Sequence, residues 1–449
     1  AASDVYKRQL LQFAVPFLIA NVLQALYGGA DLFVVGQYDD SASVAAVAIG
    51  SQVMQTITGI ILGITTGTTV LIAIATGAKD NRKVAFTIGA SVWLFSITGV
   101  VLTLVMVLFH SRIAELMHTP VEAMVDTKNY ILVCSLGILF IVGYNVVCGI
   151  LRGLGDSKTP LYFVGLACVI NIVLDFILVG YFHWGATGAA IATVTAQGVS
   201  FGIALWFLYR HGFHFDFSRK DIRLNRNLSK KILVLGAPIA LQDALINVSF
   251  LIITVIVNQM GVIASASLGV VEKIIVFAML PPMAISSAVA TMTAQNYGAG
   301  LIKRMNKCLA SGIGIALVFG VSVCVYSQFL PETLTAFFTK DAAVVAMAAD
   351  YLRGYSIDCI VVSFVFCINS YFSGQGNSLF PMIHSLIATF LFRIPLSYWF
   401  SQIDSSSLFI MGFAPPISTV VSLLICIWYL RYTQRKLYLR GTMMPAMSN

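Results

Sequence analysis

Charge is the scarcest thing in this chain. Asp, Glu, Lys and Arg make up 10% of its 449 residues, too few to cover the surface of a soluble domain. No Gly-x-x-x-x-Gly-Lys-Ser/Thr segment occurs, so ATP is not the energy source within this chain. The eight cysteines (134, 148, 168, 308, 324, 359, 367, 426) fall in or at the edges of apolar segments, with no Cys-x-x-Cys or paired loop spacing. They read as small packing residues, not as a disulfide frame or a metal site. The six histidines are scattered, with His211 and His214 in one basic stretch, which leaves no zinc or haem constellation. The chain is therefore expected to be no enzyme, with no cofactor and no catalytic residues.

What fills the sequence is apolar. The hydrophobic fraction is 58% and the mean hydropathy +0.89. The length accommodates about a dozen spans of ~20 apolar residues each. The pattern predicts an all-α integral membrane protein with twelve transmembrane helices near 10–36, 44–76, 84–109, 120–151, 159–182, 187–209, 232–259, 265–296, 306–329, 342–372, 382–402 and 407–431. A net charge of +8 would suit nucleic acid if it formed one patch, but it is distributed otherwise. Lys and Arg gather in alternate connections: Lys79, Arg82 and Lys83; Arg152 and Lys158; Arg210, Arg219, Lys220, Arg223, Arg226, Lys230 and Lys231; Lys303, Arg304 and Lys307; Arg431, Arg435, Lys436 and Arg440. That is the positive-inside pattern, which predicts a multi-pass protein of the cell (inner) membrane with both termini cytoplasmic. The connection 373–381 departs from it, carrying neither Lys nor Arg. At the start, Asp4 to Gln9 (DVYKRQ) reads as the translation of a sequencing adapter, so 1–9 is set apart as a tail.

The chain also repeats itself at an offset of 221 residues. RGLGDSKTP (Arg152 to Pro160) matches SGQGNSLFP (Ser373 to Pro381), Tyr130 matches Tyr351, Gly77-Ala78 matches Gly298-Ala299, and Arg82-Lys83 matches Lys303-Arg304. One gapless offset for separated landmarks argues for a duplication. Six spans per copy keep the second copy parallel to the first, so two pseudo-symmetric six-helix bundles are expected. The boundaries are an N-lobe at 10–210, a basic cytoplasmic linker at 211–230, a C-lobe at 231–434 and a tail at 435–449. The linker reads as a solvated loop, with contact to anionic lipid the weaker alternative.

Ionisable residues inside spans are costly and hence functional candidates. Asp31 in the first span and Asp175 in the fifth each lie fifteen residues after a proline, Pro16 and Pro160. At 1.5 Å per residue both sit roughly 22 Å along their helices, at one depth. Tyr27 and Asn171 precede them by one turn on the same face. Two neighbouring carboxylates resist joint ionisation, so such a pair should take up a proton or a cation. The plainer alternative makes each acid an isolated packing residue. The second copy does not repeat the pair, since Asp31 aligns near Ile253 and Asp175 with Leu396. It has instead Gln242, Asp243, Asp358 and Arg393, read as structural or cavity-lining, with an Asp358–Arg393 ion pair as one arrangement. Glu272 and Lys273 are expected to snorkel to the headgroups.

VPFLIANVLQALYGGADLFVVG, RGLGDSKTP, NIVLDFILVG and GATGAAIATVTAQ together resemble the multidrug and toxic compound extrusion (MATE) family, over about Leu10 to Gln434. The resemblance implies two six-helix lobes around a central cavity and export of drugs or metabolites driven by entry of Na⁺ or H⁺. In the branch with its ion site in the first lobe, the matching residues here are Tyr27, Asp31, Asn171, Asp175 and Thr193, with Tyr130 and Asn145 as weaker matches. A Na⁺ site would then fall at Asp31, Asn171, Asp175 and Thr193. The expected partners are a cationic or amphipathic small molecule and the lipid bilayer, without nucleic acid or ATP, the protein acting as a monomer. A lipid-linked oligosaccharide flippase of the same superfamily would need several cations in its spans, where Arg393 stands foremost. A membrane-embedded transferase would need paired Asp-rich motifs, and DDSAS at 39–43 is the nearest approach. A channel would need a selectivity-filter repeat, and none is visible.

Overall fold

The computed structural model describes residues 2–213, 215–404 and 407–442, with side chains placed for 5–213, 215–218, 220–404 and 407–435. His214, the side chains of Arg219, Lys436 and Arg440, and the tail beyond Thr442 lie outside the described residues. Helices account for the whole architecture among them. In chain order the first lobe holds α1 (Ala2–Tyr38), α2 (Ser41–Gly77), α3 (Asn81–Leu116), α4 in two pieces (Met124–Leu136 and Ile138–Leu154), α5 (Lys158–Asp175, continued by a π-helical turn Phe176–Tyr181) and α6 (Gly185–His211). The second holds α7 (Arg226–Asn258), α8 (Val262–Gly298), α9 (Ile302–Phe329), α10 in two pieces (Ala342–Ser356 and Asp358–Gly374), α11 (Leu379–Ile387, a π turn Ala388–Arg393, then Ile394–Ile403) and α12 (Ala414–Thr442). Long apolar runs propagate these helices, three of them through internal prolines (Pro16, Pro238, and Pro281 with Pro282), and short polar side chains start several of them. Asp40 accepts from Ser43 N at 2.9 Å, Asp80 from Lys83 N at 3.0 Å, Asn225 from Leu228 N at 3.1 Å and Asp341 from Ala343 N at 2.9 Å.

The twelve expected spans are present, but two are not continuous. Ten helices are long and apolar enough to cross a membrane by themselves, and the fourth and tenth do so as pairs bent by 49° and 43°. The bend in α4 falls at Gly137, whose missing Cβ admits the side chain of Val194. The repeat-equivalent break in α10 falls at Ile357, beside Gly354, which packs against Gly412 in the same way. The π turn in α11 precedes Pro395, which has no N–H to give the helix ladder. The segment 2–9, set apart as a tail in the sequence, continues α1 without interruption, because nothing in it breaks a helix.

Repeat symmetry governs the contacts between lobes. Gly77 abuts the backbone of Gln295, and its equivalent Gly298 abuts the backbone of Ile74. Since 74 + 221 = 295 and 77 + 221 = 298, these are one contact made twice about a pseudo-twofold axis. The two matched turns behave alike. Gly155 and Gly376 have φ of 99° and 85°, a conformation open to glycine at little cost. Asp156 accepts from Lys158 N and Thr159 N, both at 3.0 Å, and Asn377 accepts from Phe380 N at 3.3 Å. Both turns lie at the same end of the bundle, where Gln295 Nε2 reaches Gly153 O at 3.4 Å and Ser378 Oγ reaches Val234 O at 3.5 Å.

The lobes also exchange ends. Leu10, Phe13 and Ala14, at the start of α1, are buried with Ile285, Val289 and Tyr371 in a core of the second lobe. Ile232, at the start of α7, is buried with Ile61, Ile72 and Phe95 in the core of the first. Along α2 the interlobe seam is backbone-tight, Gly63 against Ala240 and Gly67 against Ile232. Farther from the Lys/Arg-rich end the seam opens: Gly28, Gly29 and Gly59 have no neighbour within 4 Å of where a Cβ would lie. The lobes are therefore in direct backbone contact toward the basic end, a contact that Gly28, Gly29 and Gly59 do not make. Small residues are what such a seam requires, because in lipid helices associate by close packing and not by burial from water.

Candidate functional site

Asp31 and Asp175 come together. Both are buried, 4% and 0% exposed, and they lie side by side across the seam between α1 and α5, close enough to be joined by a single proton. Thr193 Oγ1, from α6, donates to Asp31 Oδ2 at 3.0 Å, and Asn171 Nδ2 donates to Thr193 Oγ1 at 3.4 Å. Tyr27 lies beside Thr193 and Gln197, one turn along α6 from each other. Three helices therefore converge on one chamber. Asp175 is the last residue before the π turn of α5, the kind of helix irregularity that recurs at functional sites.

The chamber is rich in oxygen atoms that lack a donor. Asp31 Oδ1, Asn171 Oδ1 and both carboxyl oxygens of Asp175 are sealed from solvent without a hydrogen-bond partner, while Tyr27 lies within hydrogen-bonding reach of Gln197 and Thr193. Leaving one buried polar group unsatisfied costs on the order of 1–3 kcal/mol. A cluster of such atoms around two acids is stable only with something positive among them. The donor set consists of hard oxygens from two carboxylates, two amides and hydroxyls, and it contains no soft ligand. It suits a proton or a small hard cation such as Na⁺.

The weaker matches divide. Tyr130 is 2% exposed, its ring seated in the space that Gly50 leaves, and it stands near Asp31 and Tyr27 without a hydrogen bond to either. Asn145 is 5% exposed but turns its amide back onto its own helix, donating to Ile141 O at 2.7 Å. Gln197 is a member of the chamber that sequence reasoning passed over. Its signal was available, since it follows Thr193 by four residues and so shares its helix face.

The second lobe has a polar cluster of different character. Arg393 stacks over Phe250 at 4.5 Å from the ring centre, and its Nη2 donates to Tyr355 Oη at 3.4 Å. The expected Asp358–Arg393 ion pair is not made: among the described residues no oxygen of Asp358 comes within salt-bridge distance of the guanidinium, which the two aromatic rings hold. Asp358 lies beside Thr419 instead, with Oδ1 unpartnered. Glu272 does not snorkel outward. Its Oε1 is sealed inside without a partner, in the field of Arg393. The helix is long enough to hold Glu272 ten residues in from Val262, too deep for its short side chain to reach the end. Gln242 Nε2 donates to Ser385 Oγ at 3.2 Å, bridging α7 and α11, and Asp243 is exposed. Tyr351, the repeat partner of Tyr130, stands in this cluster as Tyr130 does in the first. The two lobes thus keep polar clusters in equivalent places. The first holds two acids and no base, while the second carries its own guanidinium.

A family model described as MatE matches this chain twice, at residues 16–177 and 238–399. The two matches start 222 residues apart (238 − 16), one residue from the offset of the sequence repeat. The probable multidrug resistance protein YpnP of Bacillus subtilis (strain 168) is 29% identical over 395 residues, covering 88% of this chain and 88% of its own. The probable multidrug resistance protein NorM of Thermotoga maritima is 27% identical over 403 residues, covering 87% and 85%. Among solved structures, the outward-facing conformation of a multidrug resistance MATE family transporter of the MOP superfamily superposes with a TM-score of 0.89 at 23% identity, covering 96% of each chain.

Proposed function

The chain belongs to the MatE family, and from that premise we propose that it is a cation-coupled antiporter that exports drugs or amphipathic metabolites by alternating access. The observation that carries the coupling is the chamber of Asp31, Asp175, Asn171, Thr193, Tyr27 and Gln197, with its donorless oxygens. Uptake of H⁺ or Na⁺ there neutralises the carboxylate pair and draws α1, α5 and α6 together. Export of small molecules is supported by the names of the relatives, which are multidrug resistance proteins aligned over most of both chains.

The exchange of helix ends supplies the linkage between ion and cavity. α1 carries Asp31 in the first lobe while Leu10, Phe13 and Ala14 are packed in the second. Pro16 interrupts its hydrogen-bond ladder between those two parts. A change in how α1 sits against α5 is therefore felt at the basic end, where the lobes touch. An ion shifts the balance between outward-open and inward-open forms only by binding them unequally, and the chamber provides that inequality if α1 leaves it in one of the two forms. The spans carry many exposed apolar side chains, Leu26 and Met283 among them, and those that face the cleft between the lobes would suit bulky cations. We place the basic end, and both chain ends with it, in the cytoplasm of a cell membrane, on the distribution of Lys and Arg. The protein works as a monomer in this reading, since one chain holds both lobes.

The test is transport of a lipophilic cationic dye in proteoliposomes, with Na⁺ and pH gradients imposed separately. At least one gradient is expected to drive dye movement against its own gradient. Dye flux indifferent to both would end the coupling proposal.

A further inference from the structure

The segment between the lobes is not a free loop. Phe213 stacks on Phe215 at 5.1 Å and meets Phe217 edge to face at 5.3 Å, and all three pack against the first-lobe core. Beyond them the backbone at Asp221 lies directly on α3 at Gly89, in space that a Cβ would occupy. This docking brings Arg223 from the linker and Arg82 from α3 onto the same ring. Their guanidinium carbons are 5.3 Å and 5.1 Å from the centre of Phe86. Neither has an ion-pair partner among the described residues. The nearby acids are engaged elsewhere, Asp80 in capping Lys83 N at 3.0 Å and Asp221 in holding Ser218 N at 2.9 Å. Two exposed guanidiniums are thus held beside one ring, with Lys83 and Lys220 exposed near them, a local excess of positive charge that attracts an anion.

The surroundings decide which anion. Ile222 and Leu224, on either side of Arg223, are 41% and 50% exposed. The cluster sits at the first turn of α3, where a membrane helix emerges from the apolar layer. Apolar side chains beside guanidiniums at that level match a molecule with a phosphate head and an acyl body.

We propose that Arg82 and Arg223, ordered on Phe86 by the docked linker, bind the headgroup of an anionic phospholipid, with Ile222 and Leu224 against its chains. The site belongs to the first lobe alone. At the equivalent positions of the second lobe (offset 221) Phe86 is replaced by Lys307 and Gly89 by Ala310. The site is independent of the ion chamber and of the transport reading.

The experiment is retention of phosphatidylglycerol against phosphatidylcholine by the full chain in detergent, read by native mass spectrometry. The wild type is expected to retain phosphatidylglycerol preferentially. Arg82→Gln with Arg223→Gln should lower that preference roughly tenfold or more. Lys303→Gln with Arg304→Gln removes two charges at the matching place in the other lobe and should leave it intact. Phe86→Leu keeps every charge and tests the ring as the organiser, with an intermediate loss expected. Equal retention of the two lipids by wild type, or equal effects of the two double variants, would overturn the site. Displacement of phosphatidylglycerol by millimolar inorganic phosphate would assign it to the phosphate ion and overturn the lipid.

Discussion

Asp31 and Asp175 differ from every other acid of the spans in facing each other without a base. Of their four oxygens, only Asp31 Oδ2 accepts a hydrogen bond, from Thr193. Asp175→Asn is nearly isosteric and replaces an acceptor with a donor aimed at Asp31, so the chamber closes without an ion. Gradient-driven dye export is expected to fall to background while the protein still reaches the membrane, and Asp31→Asn should do the same. Asp358→Asn and Asp243→Asn should be milder, because Arg393 already supplies positive charge in the second lobe and Asp243 has no second carboxyl facing it. Wild-type export by both first-lobe variants at equal expression would move coupling to Asp243, Glu272 and Asp358. Gln197→Ala removes one neutral oxygen and should raise the ion concentration for half-maximal export by about tenfold, measured by titrating the driving ion. The two acids were legible in the sequence because a charge in an apolar run is conspicuous and proline gave each a depth. Gln197 was hidden by its neutrality, and the inward turn of Glu272 by the absence of any sequence sign of the direction it faces.

At the scale of the helix, the close approaches matter more than the apolar faces. Gly77 and Gly298 meet the opposite backbone directly, and neither contact can accept a branched side chain without parting the lobes there. Overpacking at such a contact costs about 1–3 kcal/mol. Gly77→Val should therefore favour the form open at the basic end, raising the labelling rate of Ile64→Cys, behind Gly236 in the closed seam, on the order of tenfold. An unchanged rate would show that the seam is not a gate. The spans themselves and the matched turns were readable, since each follows from local chemistry: apolar length, and glycine with a short polar side chain repeated at one offset. The bends at Gly137 and Ile357 were not, because a bend depends on what packs opposite, Val194 in one case and a distant glycine in the other.

For the molecule as a whole, the proposed orientation rests on the charge distribution and the repeat, and accessibility can test it. Lys220 is exposed at the basic end, and the eight native cysteines are all buried, so Lys220→Cys offers a single reactive thiol. A membrane-impermeant maleimide should label it in inverted vesicles and not in intact cells. The offset of 221 revealed two copies in the sequence but not how they interlock, because Leu10 and Ile232 look like any other apolar residue at the start of a span. In the fold each lies in the other copy's core. That arrangement is what a domain-swapped homodimer leaves behind once its two chains are joined end to end. A six-helix ancestor that gave away the first turns of its opening helix was complete only as a pair. Fusion through the linker would keep the swap and release each half from matching the other, as two lobes that now hold a pair of bare acids in one and an arginine in the other require.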